Sequence, residues 1–431
     1  MGLTGTNVGF DSNLAGYDTL IVGKNALTVS GPGPDLTAVR NGLKVILFEQ
    51  TGDVLEKRFG FRVQEYGLRN VFPRVPDHPI LAGLTSETLR DWRGDSTVIP
   101  PRLQFTLANE FNGAPSIVRN GMLLPHVWRC GCRGSVASVL IEKPACGDFL
   151  SLIDGGFSLQ YSPLMVYREG KGMVLFCQMD VTGRTESDPA AERLAANIFN
   201  FVSAWHPTPK RTIVYAGDPG CRAQLEQTGF QIMSFDGVLG TNQVLVVGPG
   251  GGAQLVPHAD SITAWLNGGG RALAIGLDQD ELRHALPLAI STRYAEYINS
   301  VFDPQRWNSP LSGIGPADVY NRDPRKLPIL SESPGVLAGG VLAALSDDHV
   351  ILLQLAPWKF TQTQQNTKRV FRHTSVALTR LLGNLGVQST TPLLARFGSP
   401  ADQGGKEQRW LHGFYLDVPV AEDDPYRFFG W

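Results

Sequence analysis

The chain has 431 residues, enough for two to four domains at roughly 100–200 residues each. Hydrophobic residues make up 42% and charged residues 18%, with a net charge of −2, which excludes a disordered chain and a broadly basic nucleic-acid surface. No apolar run reaches the ~18 residues of a membrane span, so neither membrane nor nucleic acid is an expected partner.

The 48 glycines and 29 prolines have no period of three; they mark a turn-rich folded protein, not a collagenous one. The N-terminus has neither a basic nor an apolar leader segment, which makes the cytoplasm the default compartment. The five cysteines, Cys130, Cys132, Cys146, Cys177 and Cys221, are too few and too scattered for a disulfide framework. Cys130-x-Cys132 is poor zinc spacing, so no metal and no cofactor is expected.

In chain order, residues 17–23 form a short apolar run ending at Gly23, as in a parallel strand covered on both faces. Residues 35–42 read as a helix and 43–49 as the next strand. A β-rich insertion of about residues 60–170 follows; it holds the block from His78 to Leu84 and the strand-rich stretch 136–149. Residues 172–178 are a strand. Residues 189–205 are a helix, with Asp188 as its cap and Pro189 in its first turn.

His206-Pro207-Thr208-Pro209 breaks the composition. Beyond it, strand 211–216, helix 222–228 and strand 230–235 have no counterpart in the first half. The order then repeats: strand 241–248, helix 261–270, strand 271–277, a block from Ser309 to Gly315, strand 349–355 and helix 367–385. The turn Gly248-Pro249-Gly250-Gly251-Gly252 matches no phosphate-loop signature, and Pro249 removes an amide donor.

The expected fold is therefore α/β, two tandem flavodoxin-like open parallel sheets, the first lacking its opening strand and helix. The expected units are residues 1–207, residues 208–390 and a C-terminal tail, 391–431, with an aromatic end. A missing opening unit suggests the C-terminal part of a longer ancestral protein. It also leaves a sheet edge that a protein partner or a second copy would cover.

The strand-glycine-helix pattern is joined by Trp358-Lys359-Phe360, Asn366-Thr367-Lys368-Arg369 and Leu381-Leu382-Gly383-Asn384-Leu385-Gly386. Together these resemble the glutamine-amidotransferase-like domains appended to bacterial glycoside hydrolases, including the trimerisation domain of family-42 β-galactosidases. The stretches 128–134 and 180–185 look like the same group. The resemblance spans roughly residues 17–387 and implies a fold and carbohydrate metabolism, not an activity.

A working amidotransferase places a nucleophilic Cys on a strand-to-helix elbow. The two elbows here read Leu47-Phe48-Glu49-Gln50-Thr51 and Ile275-Gly276-Leu277-Asp278-Gln279, without Cys or Ser. Glu49 reads either as a helix-capping carboxylate or as a general base. A glycosidase needs two carboxyl groups across the sugar. Asp180, Glu186 and Arg184, in the loop after strand 172–178, are the best such candidates, because ligands of open α/β sheets lie at strand carboxyl ends. Trp92 and Trp128, among charged residues, are the candidate sugar-stacking groups.

The expected function is a non-catalytic portion of a glycoside-hydrolase-type protein, serving assembly or the shaping of a carbohydrate site. Two other readings stay open: a β-galactosidase-like hydrolase with part of its site on this chain, and a free-standing carbohydrate-binding module.

Overall fold

Short runs of β-branched and aliphatic residues, each closed by glycine or a polar turn, form two large sheets and two two-stranded ones. The computed structural model describes residues 5–94, 117–119, 122–124, 134–156, 159–321, 325–360 and 365–398. It is a mixed α/β protein without a closed barrel among these residues.

The first half supplies β1 (Thr19–Val22), β2 (Lys44–Leu47), β3 (Val63–Leu68), β4 (Phe72–Pro73), β5 (Ile117–Arg119), β6 (Met122–Leu124), β7 (Ala137–Glu142), β8 (Phe149–Gly155), β9 (Tyr161–Glu169) and β10 (Gly172–Cys177). Helix α1 (Pro189–Ala204) follows, capped by Asp188 as its sequence implies. β1, β2 and β10 are parallel, and β9 runs antiparallel to β10. The β-rich insertion joins this sheet, since β8 and β7 both pair with β9; β5 and β6 form a separate hairpin.

The second half supplies β11 (Thr212–Ala216), α2 (Pro219–Gln227), β12 (Ile232–Ser234), β13 (Gln243–Val247), α3 (Gly251–Leu255), α4 (Ala259–Asn267), β14 (Arg271–Ile275), α5 (Gln279–Ala285), β15 (Thr292–Tyr297), β16 (Arg325–Leu330), β17 (Val336–Leu337), β18 (Leu342–Leu345), β19 (Val350–Leu353), α6 (Gln365–Asn384) and α7 (Leu393–Gly398). Its sheet runs β12-β11-β13-β14-β19-β18-β17. β13, β14 and β19 are parallel and β18 is antiparallel to β19.

The same succession, three parallel strands and then one antiparallel, therefore appears in each half. β11 and β12 extend the second sheet beyond β13, whereas among the described residues the first sheet stops at β1. One expectation is corrected. Residues 35–42 hold a six-residue 3₁₀ turn, Leu36–Asn41, not an α-helix, because Gly42 at φ +125° ends it at once.

Side chains carry the repeat further. Asn197 on α1 donates from Nδ2 to the carbonyls of Ile80 and Ala82 (3.0 and 2.9 Å). Asn384 on α6 donates from Nδ2 to those of Pro310 and Ser312 (2.9 and 2.8 Å). Each turn then reaches a left-handed glycine, Gly83 or Gly313, both at φ +74°. These bonds pair Gly83 with Gly313, one residue off the register that matches the block starts His78 and Ser309.

The halves meet over buried ion pairs. Arg74 bridges Asp154 of the first half (2.6 Å) and Asp318 of the second. Arg372 on α6 pairs with Glu142 on β7 (2.9 Å), and Arg380 pairs with Asp148 (3.0 Å). The chain then returns to the first half, where the Phe397 ring of α7 packs tilted against Phe59 at 4.3 Å and Arg58 donates to the carbonyls of Arg396 and Phe397. Residues 399–431, including the aromatic tail, lie outside the described residues.

Candidate functional site

The strand-end loops of the first half gather most of the residues singled out by sequence, and they are filled by their own chain. Glu49 is buried and accepts from the Thr182 amide (2.8 Å) and hydroxyl (2.6 Å). Asp180 is buried, accepts from the Ser138 hydroxyl (3.0 Å) and lies 3.7 Å from Arg184. Arg184 is buried too and donates to the carbonyls of Arg93, Trp92 and Gly94 (each 2.9 Å) and of Ser135. Trp92 is 2% exposed and donates from its indole to Thr88 O (2.8 Å). Glu186 is exposed and stands apart from this cluster. Trp128, Cys130 and Cys132 lie outside the described residues.

Strand register equates the two elbows. Ile46 lies opposite Leu175, and Leu273 opposite Ile351. Three residues after those partners, Gln178 accepts from the Gln50 amide (3.0 Å) and Gln354 donates to the Leu277 carbonyl (3.0 Å). Glu49 and Gly276 thus take the same step of the two halves. Gly276 has φ +64°, the left-handed geometry of a sharp elbow; Glu49 does not. Burial pushes the Cys146 and Cys221 thiols up to about 12 and Cys177 well above its ordinary range. None of the three is a ready thiolate. At the glycine turn the Glu281 carboxylate accepts from the Gly250 amide.

An open cleft lies elsewhere, between the halves. A cavity of about 570 Å³ is lined by His78 and Pro79 of one repeated turn, Asn197 and Phe201 of α1, Trp205, and Asn384 of α6. Trp307, 44% exposed, closes one side, and Leu150, Val166 and Arg168 form the sheet floor. This volume falls within the ~300–1,000 Å³ of small-molecule sites.

The His78 ring packs tilted against Phe201 (4.7 Å) and meets Trp307 in a T-shaped pair (5.7 Å). Its Nδ1 accepts from the Ile80 amide (3.2 Å). Burial, reinforced by the charge of Arg168, pushes its pKa down to about 4. His78 is thus a neutral, fixed aromatic wall at neutral pH. The Trp307 amide is tied to the Asp77 carboxylate at 3.0 Å, which leaves the indole to face the cleft.

Below the floor, Asp148 receives Arg168 (2.9 Å), Arg380 (3.0 Å) and Lys210 (3.7 Å). Burial raises the Asp148 carboxyl, but these three cations outweigh it and hold the group below the ordinary carboxylate range.

No motif marked His78, Arg168, Asn197 or Trp307 in the sequence. The usable signal was the repeat itself, an asparagine on the final helix of each half opposite a Leu-x-Gly turn. No protein family, curated protein or solved structure matches the chain.

Proposed function

We propose that this chain is a non-catalytic, tandem amidotransferase-like portion of a glycoside-hydrolase-type protein. In this reading it holds a saccharide in the cleft between its flavodoxin-like halves and takes part in assembly. The observation that carries the reading is the contrast between two places. The strand-end carboxylates Glu49 and Asp180 are buried against their own chain, whereas the interhalf cleft is open, aromatic and lined by amides. Aromatic faces suit the apolar faces of sugar rings, and Asn197, Asn200 and Asn384 bring amide groups suited to hydroxyls.

Trp307→Ala is expected to weaken binding of oligosaccharides to the chain at least about tenfold by calorimetry, the loss of one stacking face. Unchanged affinity would remove the cleft from the reading. The native chain is expected to release no ammonia from glutamine and to hydrolyse aryl-glycosides no faster than buffer. Turnover abolished by Asp180→Asn or Glu186→Gln would promote the hydrolase reading in its place.

The assembly role rests on β1, which pairs only with β2 among the described residues and leaves Ile21 49% exposed. Bare edges of this kind recruit another strand. Two copies paired antiparallel about Ile21 put Asp18 of each opposite Lys24 of the other. Light scattering is expected to find a dimer or larger species that Ile21→Lys returns to monomer. A native monomer at high concentration would show the edge to be inert.

A further inference from the structure

The geometry points to an acidic saccharide, one whose carboxylate meets the Arg168 side of the floor, as the ligand of the interhalf cleft. This rests on the carbohydrate reading above and narrows it to a class.

The argument is one of charge and of donors. Three cations, Arg168, Arg380 and Lys210, converge on the single carboxylate of Asp148. The other acids nearby do not balance them. Asp77 is exposed at the rim and accepts from the Trp307 amide. Glu169, on the opposite face of β9, is taken by Arg40 (2.5 Å) and by the Tyr167 hydroxyl. The floor beneath the cleft therefore carries an excess of two positive charges.

Arg168 also has donor capacity left. One terminal nitrogen serves Asp148 and the Gly383 carbonyl (3.3 Å), while its buried Nε has no hydrogen-bond partner. That Nε is sealed inside, but the Arg168 side chain is 19% exposed and lines the cleft, and an anion is the partner that suits a guanidinium best. The same excess shows in the surroundings. The charge of Arg168 helps to lower His78, and the charges of Arg168 and Arg380 add to burial in lowering Lys210. Above this floor stand the aromatic faces of Trp307, Phe201 and Trp205, which suit a sugar ring and not a bare inorganic anion.

The test uses the full chain and three probes at one ionic strength: an oligogalacturonate, the same oligosaccharide as its methyl ester, and sodium sulfate. The acid form is expected to bind at least about tenfold more tightly than the ester, with an affinity that falls as salt rises. Arg168→Met, which leaves Asp148 paired with Arg380 and Lys210, is expected to bring the ratio close to one. Lys210→Met, on the linker, is expected to reduce it in part, and it serves if the first variant does not fold. Equal binding of acid and ester by the native chain overturns the inference and leaves the carbohydrate reading standing. Sulfate binding as tight as that of the acid form overturns it in favour of a simple anion site. Binding of none of the three removes the carbohydrate reading and this inference with it.

Discussion

Arg74→Met is expected to lower the stability of the chain by about 3–5 kcal/mol, the usual cost of removing one partner from a buried charge pair. Arg74 is 8% exposed and joins three groups at once: Asp154, Asp318 and the Gly313 carbonyl (2.6 Å). Without it Asp318 keeps only the Gly315 amide (2.8 Å) among its hydrogen bonds, and the turn carrying Gly313 loses its tie to the first half. Denaturant unfolding measures the effect; a loss below about 1 kcal/mol would show that water replaces the guanidinium freely. Arg74→Lys should recover only part, since a single ammonium cannot reach three separated acceptors.

Lys143 reports on the same network through pH. It lies 2.7 Å from Asp154, but burial, with the charge of Arg74, pushes its amine down to about 7 against the pull of that carboxylate. Its unfolded value is near the ordinary 10.5. Between these values the unfolded chain binds a proton that the folded chain does not, so this group's contribution to stability rises with pH from about 7 to 10.5. Comparison with Lys143→Met isolates it. The native chain should gain on the variant by about 1 kcal/mol per pH unit through that window. In the Arg74→Met background the window should narrow from its lower end, because one of the charges that depresses the amine is gone.

Arg184→Met is expected to cost a similar ~3–5 kcal/mol, while Glu186→Gln should stay within about 0.5 kcal/mol. The two residues are neighbours in sequence with opposite surroundings. Arg184 is buried and ties the carbonyls of Trp92, Arg93 and Gly94 to that of Ser135, just ahead of β7, with Asp180 at 3.7 Å. Its loss takes a donor from each of those carbonyls and a cation from beside the buried Asp180 carboxylate. Glu186 is exposed on the same loop. Trp92 should become more accessible in Arg184→Met, and its fluorescence quenching by iodide reads that directly. A stable Arg184→Met chain with Trp92 still protected would show that the loop is held by other contacts.

Much of the architecture was legible from the chain alone. Apolar runs such as residues 43–49 and 271–277 can bury both faces only inside a covered sheet, and Asp188-Pro189 marks a helix start by its own hydrogen bonding. The two further strands of the second sheet could be read from the count of such runs. The elbows without Cys or Ser were visible too, since a nucleophile is a matter of residue type.

Burial and juxtaposition were not legible. Asp180, Arg184 and Trp92 have the residue types of a sugar site, but the fold turns them into a buried anchor. Only the tertiary structure decides whether a polar side chain finds its partners within its own chain. Arg168 carried no local signal, because the groups that surround it come from β8, the linker and α6, far apart in sequence. The cleft belongs to neither half by itself. It forms where the His78 turn, α1, Trp307 and Asn384 of α6 come together, and charge pairs between distant residues fix that approach in space.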